Sequence, residues 1–171
     1  MMNTRFLKYR LAAAATVLAV VAATTACGIT GSRGNGDDNY FSDFHTFAAS
    51  EWNYAEPVVF KVDTLRDSIA RGGDLLLSVR HTDGYRYGNL WLELSYPVND
   101  SVMHVDTLDI ILADDYGRWL GHGVGPSVQL SDTVARGVDI AQGMEIKLRH
   151  IMRLDTLTNI EQVGIVFLPK F

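Results

Sequence analysis

From Tyr40 to the C-terminus the chain alternates apolar and polar residues again and again, and a period of two confines it to half-buried strands. Leu75, Leu77 and Val79 share one phase against Leu76, Ser78 and Arg80. Leu90, Leu92, Leu94 and Tyr96 oppose Trp91, Glu93 and Ser95. Leu108, Ile110 and Leu112 form one face of a third run, and Ile146, Leu148, His150 and Met152 oppose Glu145, Lys147, Arg149 and Ile151. Val163, Ile165 and Phe167 close the chain, and residues 58–62 make a shorter run. Turn-forming residues separate these runs: Gly72-Gly73, Asp83-Gly84, residues 97–101, 114–117 and 121–126, Arg136-Gly137 and Gly143. Residues 64–70 could close one short helical turn, and no longer amphipathic helix is legible. Alternating β–α units are absent, so the expected fold is all-β: a single antiparallel β-sandwich or jelly-roll-like domain over residues 40–171.

The segment before that domain has another purpose. Arg5, Lys8 and Arg10 precede an apolar, Ala-rich stretch over residues 11–26, which ends in Thr24-Thr25-Ala26-Cys27. A basic start, an apolar middle and small residues before a cut define a secretory signal. A cysteine directly behind them reads as a lipobox, in which the thiol takes a lipid before cleavage and Cys27 becomes the new N-terminus. Thr24 stands where an aliphatic residue is usual. Competing readings are an uncleaved anchor, which would need roughly 20 strongly apolar residues, and an incidental cysteine in an ordinary signal. The expected organisation is therefore a lipoprotein signal over 1–26, the lipidated Cys27 with a flexible Gly-rich tether over 27–39, and the domain. A tether of that composition reaches roughly 20 Å.

Cys27 is the only cysteine, so no disulfide supports the domain, although an exported chain would tolerate one. Removing residues 1–26 takes three of fifteen basic side chains and no acid, leaving twelve against twenty. Such an acidic body argues against nucleic acid, whose phosphates need Lys and Arg, and against anionic lipid surfaces. Membrane contact is expected through the N-terminal lipid alone.

Chemistry-bearing residues are sparse. Asp114, Asp115 and His122 lie in a run with Gly117, Gly121, Gly123 and Gly125, and a metal site could be drawn from them. A strand ending in an Asp-Asp turn explains the same residues, and that reading is preferred, with no metal or other cofactor. The five histidines are scattered, no G-x-S-x-G elbow occurs, and no catalytic residue is assigned. Tyr85, Tyr87, Trp91 and Tyr96 fall within twelve residues beside Arg80 and Arg86. Tyr85, Tyr87 and Trp91 are the candidate interaction surface, with Trp91 on the polar phase of its strand. Core packing is the competing explanation for all three.

The ordered set Phe60-Lys-Val-Asp63, Arg80, Tyr85-x-Tyr87-Gly-Asn-Leu-Trp-Leu92, Asp106-Thr-Leu108, Leu112-Ala-Asp-x-x-Gly-x-Trp-Leu-Gly-x-Gly123, Gly143, Met152-Arg153-x-Asp155-x-Leu157 and Val163-Gly164 resembles the gliding-motility lipoproteins of the GldH type from Bacteroidota. The resemblance runs from about Tyr40 to Phe167. It implies a non-enzymatic envelope lipoprotein associated with the gliding apparatus and its linked secretion system, acting through contacts with other envelope proteins. It brings no catalytic residues, and it implies Trp91 and Trp119 in packing and Arg80 or Arg153 in buried pairs. Gly28 behind the cysteine, rather than the Asp that retains some lipoproteins in the inner membrane, points to the outer membrane, with the periplasmic side favoured. The alternative from a different class is a tethered carbohydrate-binding module, which exposed Trp91 and Tyr85 or Tyr87 beside a groove would favour.

Overall fold

A computed structural model describes residues 39–99 and 101–170; the expected export signal, Cys27 and the expected tether over 28–38 lie outside them. Eleven strands follow in order among these residues: β1 (Phe41–Thr46), β2 (Glu51–Asn53), β3 (Val58–Lys61), β4 (Ile69–Thr82), β5 (Asn89–Asn99), β6 (Val102–Ile111), β7 (His122–Val124), β8 (Ser127–Ala141), β9 (Glu145–His150), β10 (Thr156–Thr158) and β11 (Ile160–Leu168). One sheet has the order β1-β11-β4-β8-β7 and the other β3-β9-β5-β6, with a β10-β2 ribbon beside them. Every pairing is antiparallel. The architecture is an all-β sandwich.

The two-residue period explains the packing. Leu75, Leu77 and Val79 of β4 and Val163, Ile165 and Phe167 of β11 are buried, as are Leu90, Leu92 and Leu94 of β5 and Ile146 and Leu148 of β9. Their alternate neighbours Trp91, Glu145 and Lys147 are exposed on the outer face. The β2–β10 ribbon adds Trp52 and Leu157, direct cross-strand partners and both buried. Trp52 stacks on Phe47 at 4.9 Å and meets His150 edge-on at 5.4 Å. Large aromatics so enclosed typically hold about 3–5 kcal/mol of stability each.

Three local expectations are corrected. Gly72-Gly73 and Arg136-Gly137 are not turns between strands. They are facing irregularities inside β4 and β8, where the register shifts between Ala70 and Asp74. Gly72 and Gly137 have φ of 65° and 68°, the left-handed conformation in which glycine carries no Cβ penalty. The Asp139 carboxylate accepts the Gly72 N–H at 2.8 Å. Second, residues 64–68 form no helical turn. Gln142 takes over their backbone groups: its side chain accepts from Leu65 N–H and donates to Asp63 C=O, while its own N–H bonds Ser68 C=O. Third, β5 continues through Pro97 to Asn99 before the hairpin to β6.

Candidate functional site

At the start of β5, Asn89 and Trp91 fall on the outward phase of the strand, and Tyr87 lies just before it. The chain enters through a turn closed by Tyr85 N–H donating to Thr82 C=O. Tyr85 points inward and is only 4% exposed. Its hydroxyl donates to Asn89 C=O at 3.2 Å, and its ring supports Tyr87 edge-on at 5.6 Å. Burial, with Tyr87 adding to it, pushes its phenol well above the usual tyrosine range, so it stays a neutral donor. Of the three aromatics singled out from sequence, Tyr85 therefore lies in the core, while Tyr87 and Trp91 are 36% and 40% exposed.

Tyr87, Asn89 and Trp91 make one wall of an open groove of about 580 Å³, and residues 151–154 make the other. Two contacts fix the second wall. Ile151 N–H donates to Trp91 C=O at 2.9 Å, and Trp91 N–H donates to the Met152 sulfur at 3.4 Å. They carry the chain past the end of β9 along the edge of β5. A tight turn, Leu154 N–H to Met152 C=O, then leaves Leu154 and Arg153 exposed at the rim. Across the strand, Trp91 is paired with Asp109 of β6, and the Asn89 amide donates to that carboxylate at 2.6 Å. The groove thus offers two aromatic faces, a thioether, a guanidinium and an amide along the start of β5. That chemistry suits stacking and polar anchoring of a bound chain.

The remaining sequence candidates are dispersed. Asp114 closes its own turn: its carboxylate accepts from the Arg118 and Tyr116 N–H groups and pairs with the Arg118 guanidinium at 2.7 Å. The Arg118 backbone bond is the first cause of its lowered pKa. Asp115 is exposed, and His122 lies on β7 opposite Gln129. No group of three or more His, Cys, Asp or Glu that could hold a metal ion occurs among the described residues. Trp119 is partly buried and packs on His81 at 4.5 Å. Arg80 donates twice to the Gln129 side chain, a neutral acceptor rather than an ion partner. Arg153, expected in a buried pair, is instead exposed at the groove.

Met152 and Leu154 were not read as site residues, because Met152 continues the apolar phase of β9. The strand ends two residues earlier, and that ending turns the segment into a groove wall.

Residues 39–167 match the family model described as GldH lipoprotein. A curated relative from Christiangramia forsetii, named as a gliding motility lipoprotein GldH homolog, is 32% identical over 77 residues. The match covers 44% of this chain and 45% of that relative, so less than half of the relative's length is spanned. Among solved structures, dimeric latent PorU from Porphyromonas gingivalis aligns with 77% of this chain and 13% of its own, at 9% identity and a TM-score of 0.33. A likeness that distant carries no argument.

Proposed function

This chain belongs to the GldH lipoprotein family, and on that premise we propose that it is a lipid-anchored cell-envelope protein of the gliding-motility and associated secretion apparatus that works by protein contact rather than by turnover. Cys27 carries the lipid, and the outer membrane, periplasmic side, is the proposed location. The observation that carries the contact reading is the groove at the start of β5 in which Trp91 and Tyr87 stand exposed beside Arg153. Aromatic and Arg side chains dominate interface energies when a partner covers them. Tyr87 is held by the ring of the buried Tyr85, and the Trp91 backbone is fixed by two contacts, so the backbone needs little ordering on binding.

The test places a photo-crosslinking residue at position 87 in the full-length chain in its native envelope, and truncates Trp91 separately. Crosslinks to an envelope protein that disappear in Trp91→Ala, with the melting temperature unchanged, support the reading. A folded Trp91→Ala chain that keeps every envelope contact removes it.

One observation favours a second reading. Two exposed aromatics lining a single groove also suit a sugar ring, so a tethered carbohydrate-binding module remains the alternative. Saturable binding of a glycan, abolished by Trp91→Ala in the absence of any protein partner, would decide for it.

A further inference from the structure

Besides the groove, the sandwich leaves strand edges open, and they are not equivalent. At the ends of the two sheets β7 has three residues, β3 four and β1 six. The part of β8 beyond β7 is interrupted by register shifts and by Gly137. β6 is different. It ends the β3-β9-β5-β6 sheet, and its pairing with β5 runs without a shift from Asn89–Ile111 to Pro97–Met103. It contains neither proline nor lysine, and the charges that guard it are the two carboxylates of Asp106 and Asp109. Met103, Val105 and Ile111 on its outer face are 52%, 59% and 50% exposed. No other strand lies against its free side among the described residues.

The direction of its backbone groups can be read directly. Thr107 N–H donates to the Asp106 carboxylate at 2.8 Å, so it points to the free side. Trp91, across from Asp109, turns its own N–H and C=O toward residues 151 and 152, away from β6. Alternation in an antiparallel pair then sends the N–H and C=O of Met103, Val105, Thr107, Asp109 and Ile111 outward together. β1 and β8 carry the same local cap, Asp43 on Phe44 N–H and Asp132 on Thr133 N–H. On those strands the cap coincides with short length or a broken register. On β6 it covers one N–H in the middle of a regular edge.

We propose that the β6 edge receives an extended segment of a partner protein by antiparallel strand addition, and that the segment carries cations opposite Asp106 and Asp109. A second copy of this chain is the poorer occupant, because seam pairing would line up four carboxylates between two bodies that are already acidic. A cation opposite Asp106 draws the carboxylate off Thr107 and frees that N–H for the incoming strand. An acidic or neutral segment leaves the cap in place. Asp106 is thus both the guard and the selector of this edge.

The test uses the purified full-length chain in detergent and the peptide Ile-Lys-Val-Thr-Lys-Val-Thr-Val, which sets its lysines opposite Asp109 and Asp106. The comparison peptide has Glu for both Lys. The expected result is saturable binding of the Lys peptide, with slowed hydrogen exchange at alternate amides of residues 103–111, and at least tenfold weaker binding of the Glu peptide. Asp106→Lys should reverse that preference. Thr107→Pro, which removes an N–H that the β5 ladder does not use, should lose both peptides while the melting temperature holds. Binding without protection on β6, binding unaffected by Thr107→Pro, or no binding would overturn the proposal. So would a concentration-dependent dimer of the chain protected at the same amides.

Discussion

Phe44 and Gly164 are direct cross-strand partners on β1 and β11, and the Phe44 ring occupies the space that a Cβ on Gly164 would need. Gly73 on the inner face is covered in a similar way by the ring of Phe167, whose register partner is Leu75, with Leu168 C=O a further 2.7 Å neighbour of that imagined Cβ. In both pairs an aromatic ring covers a glycine and restores packing that the missing side chain would have supplied.

The two glycines should respond unequally to alanine. Phe44 is partly exposed and can swing away, so Gly164→Ala should cost about 1 kcal/mol. Phe167 is fully buried, so Gly73→Ala should cost about 3 kcal/mol or more. Urea denaturation of both variants checks the order, and equal costs would show that the rings do not set it.

The tryptophans should separate in the same way. Trp52→Ala leaves a cavity in the core and should cost about 3–5 kcal/mol of stability. Trp91→Ala should cost under about 1 kcal/mol, because its ring is exposed, while weakening partner binding by about 2 kcal/mol. Thermal melts read the first difference and a binding isotherm the second.

His150 predicts an acid weakness. It is fully buried between Trp52 and Tyr54, and among the described residues neither ring nitrogen has a well-formed hydrogen bond. Burial lowers its pKa below 6.5, and the Trp52 backbone offsets this only in part. The unfolded chain therefore binds this proton more readily than the folded one. Its contribution to stability is complete above pH 6.5 and is lost as pH falls from there to the folded value. The melting temperature should drop on the acid side of that pH, and His150→Phe should flatten the drop. A wild-type profile with no slope there would contradict this.

The anchor has its own test. Cys27→Ser should abolish incorporation of a labelled fatty acid and release the protein from membranes. Absence of label in the wild type would remove the lipid from the proposed function.

Sandwich architecture was legible because burial on one face of a strand writes a period of two into the residues themselves. Leu75 to Val79, Leu90 to Leu94 and Val163 to Phe167 all point inward as that period requires. β8 carries no such period, for the complementary reason. Residues 127–135 stay half-buried or exposed, so no clean alternation marks the longest strand. Trp52 was missed because three residues of β2 carry no period at all. The glycine pairs at 72–73 and 136–137 have the composition of turns, and only their mutual pairing makes them irregularities within continuous strands.

Family membership and the strand-forming character of the domain are written in the residues, because both are local or collinear properties. It takes the packed chain to make Tyr85 a support while Tyr87 and Trp91 are surface, since all three are aromatics a few residues apart. The packed chain also decides that residues 151–154 turn a strand end into a groove, and that no strand among the described residues covers the outer edge of β6. Which side chain meets solvent, and which backbone N–H lacks a neighbour, depends on what the rest of the chain brings alongside, and no short stretch of sequence contains that information.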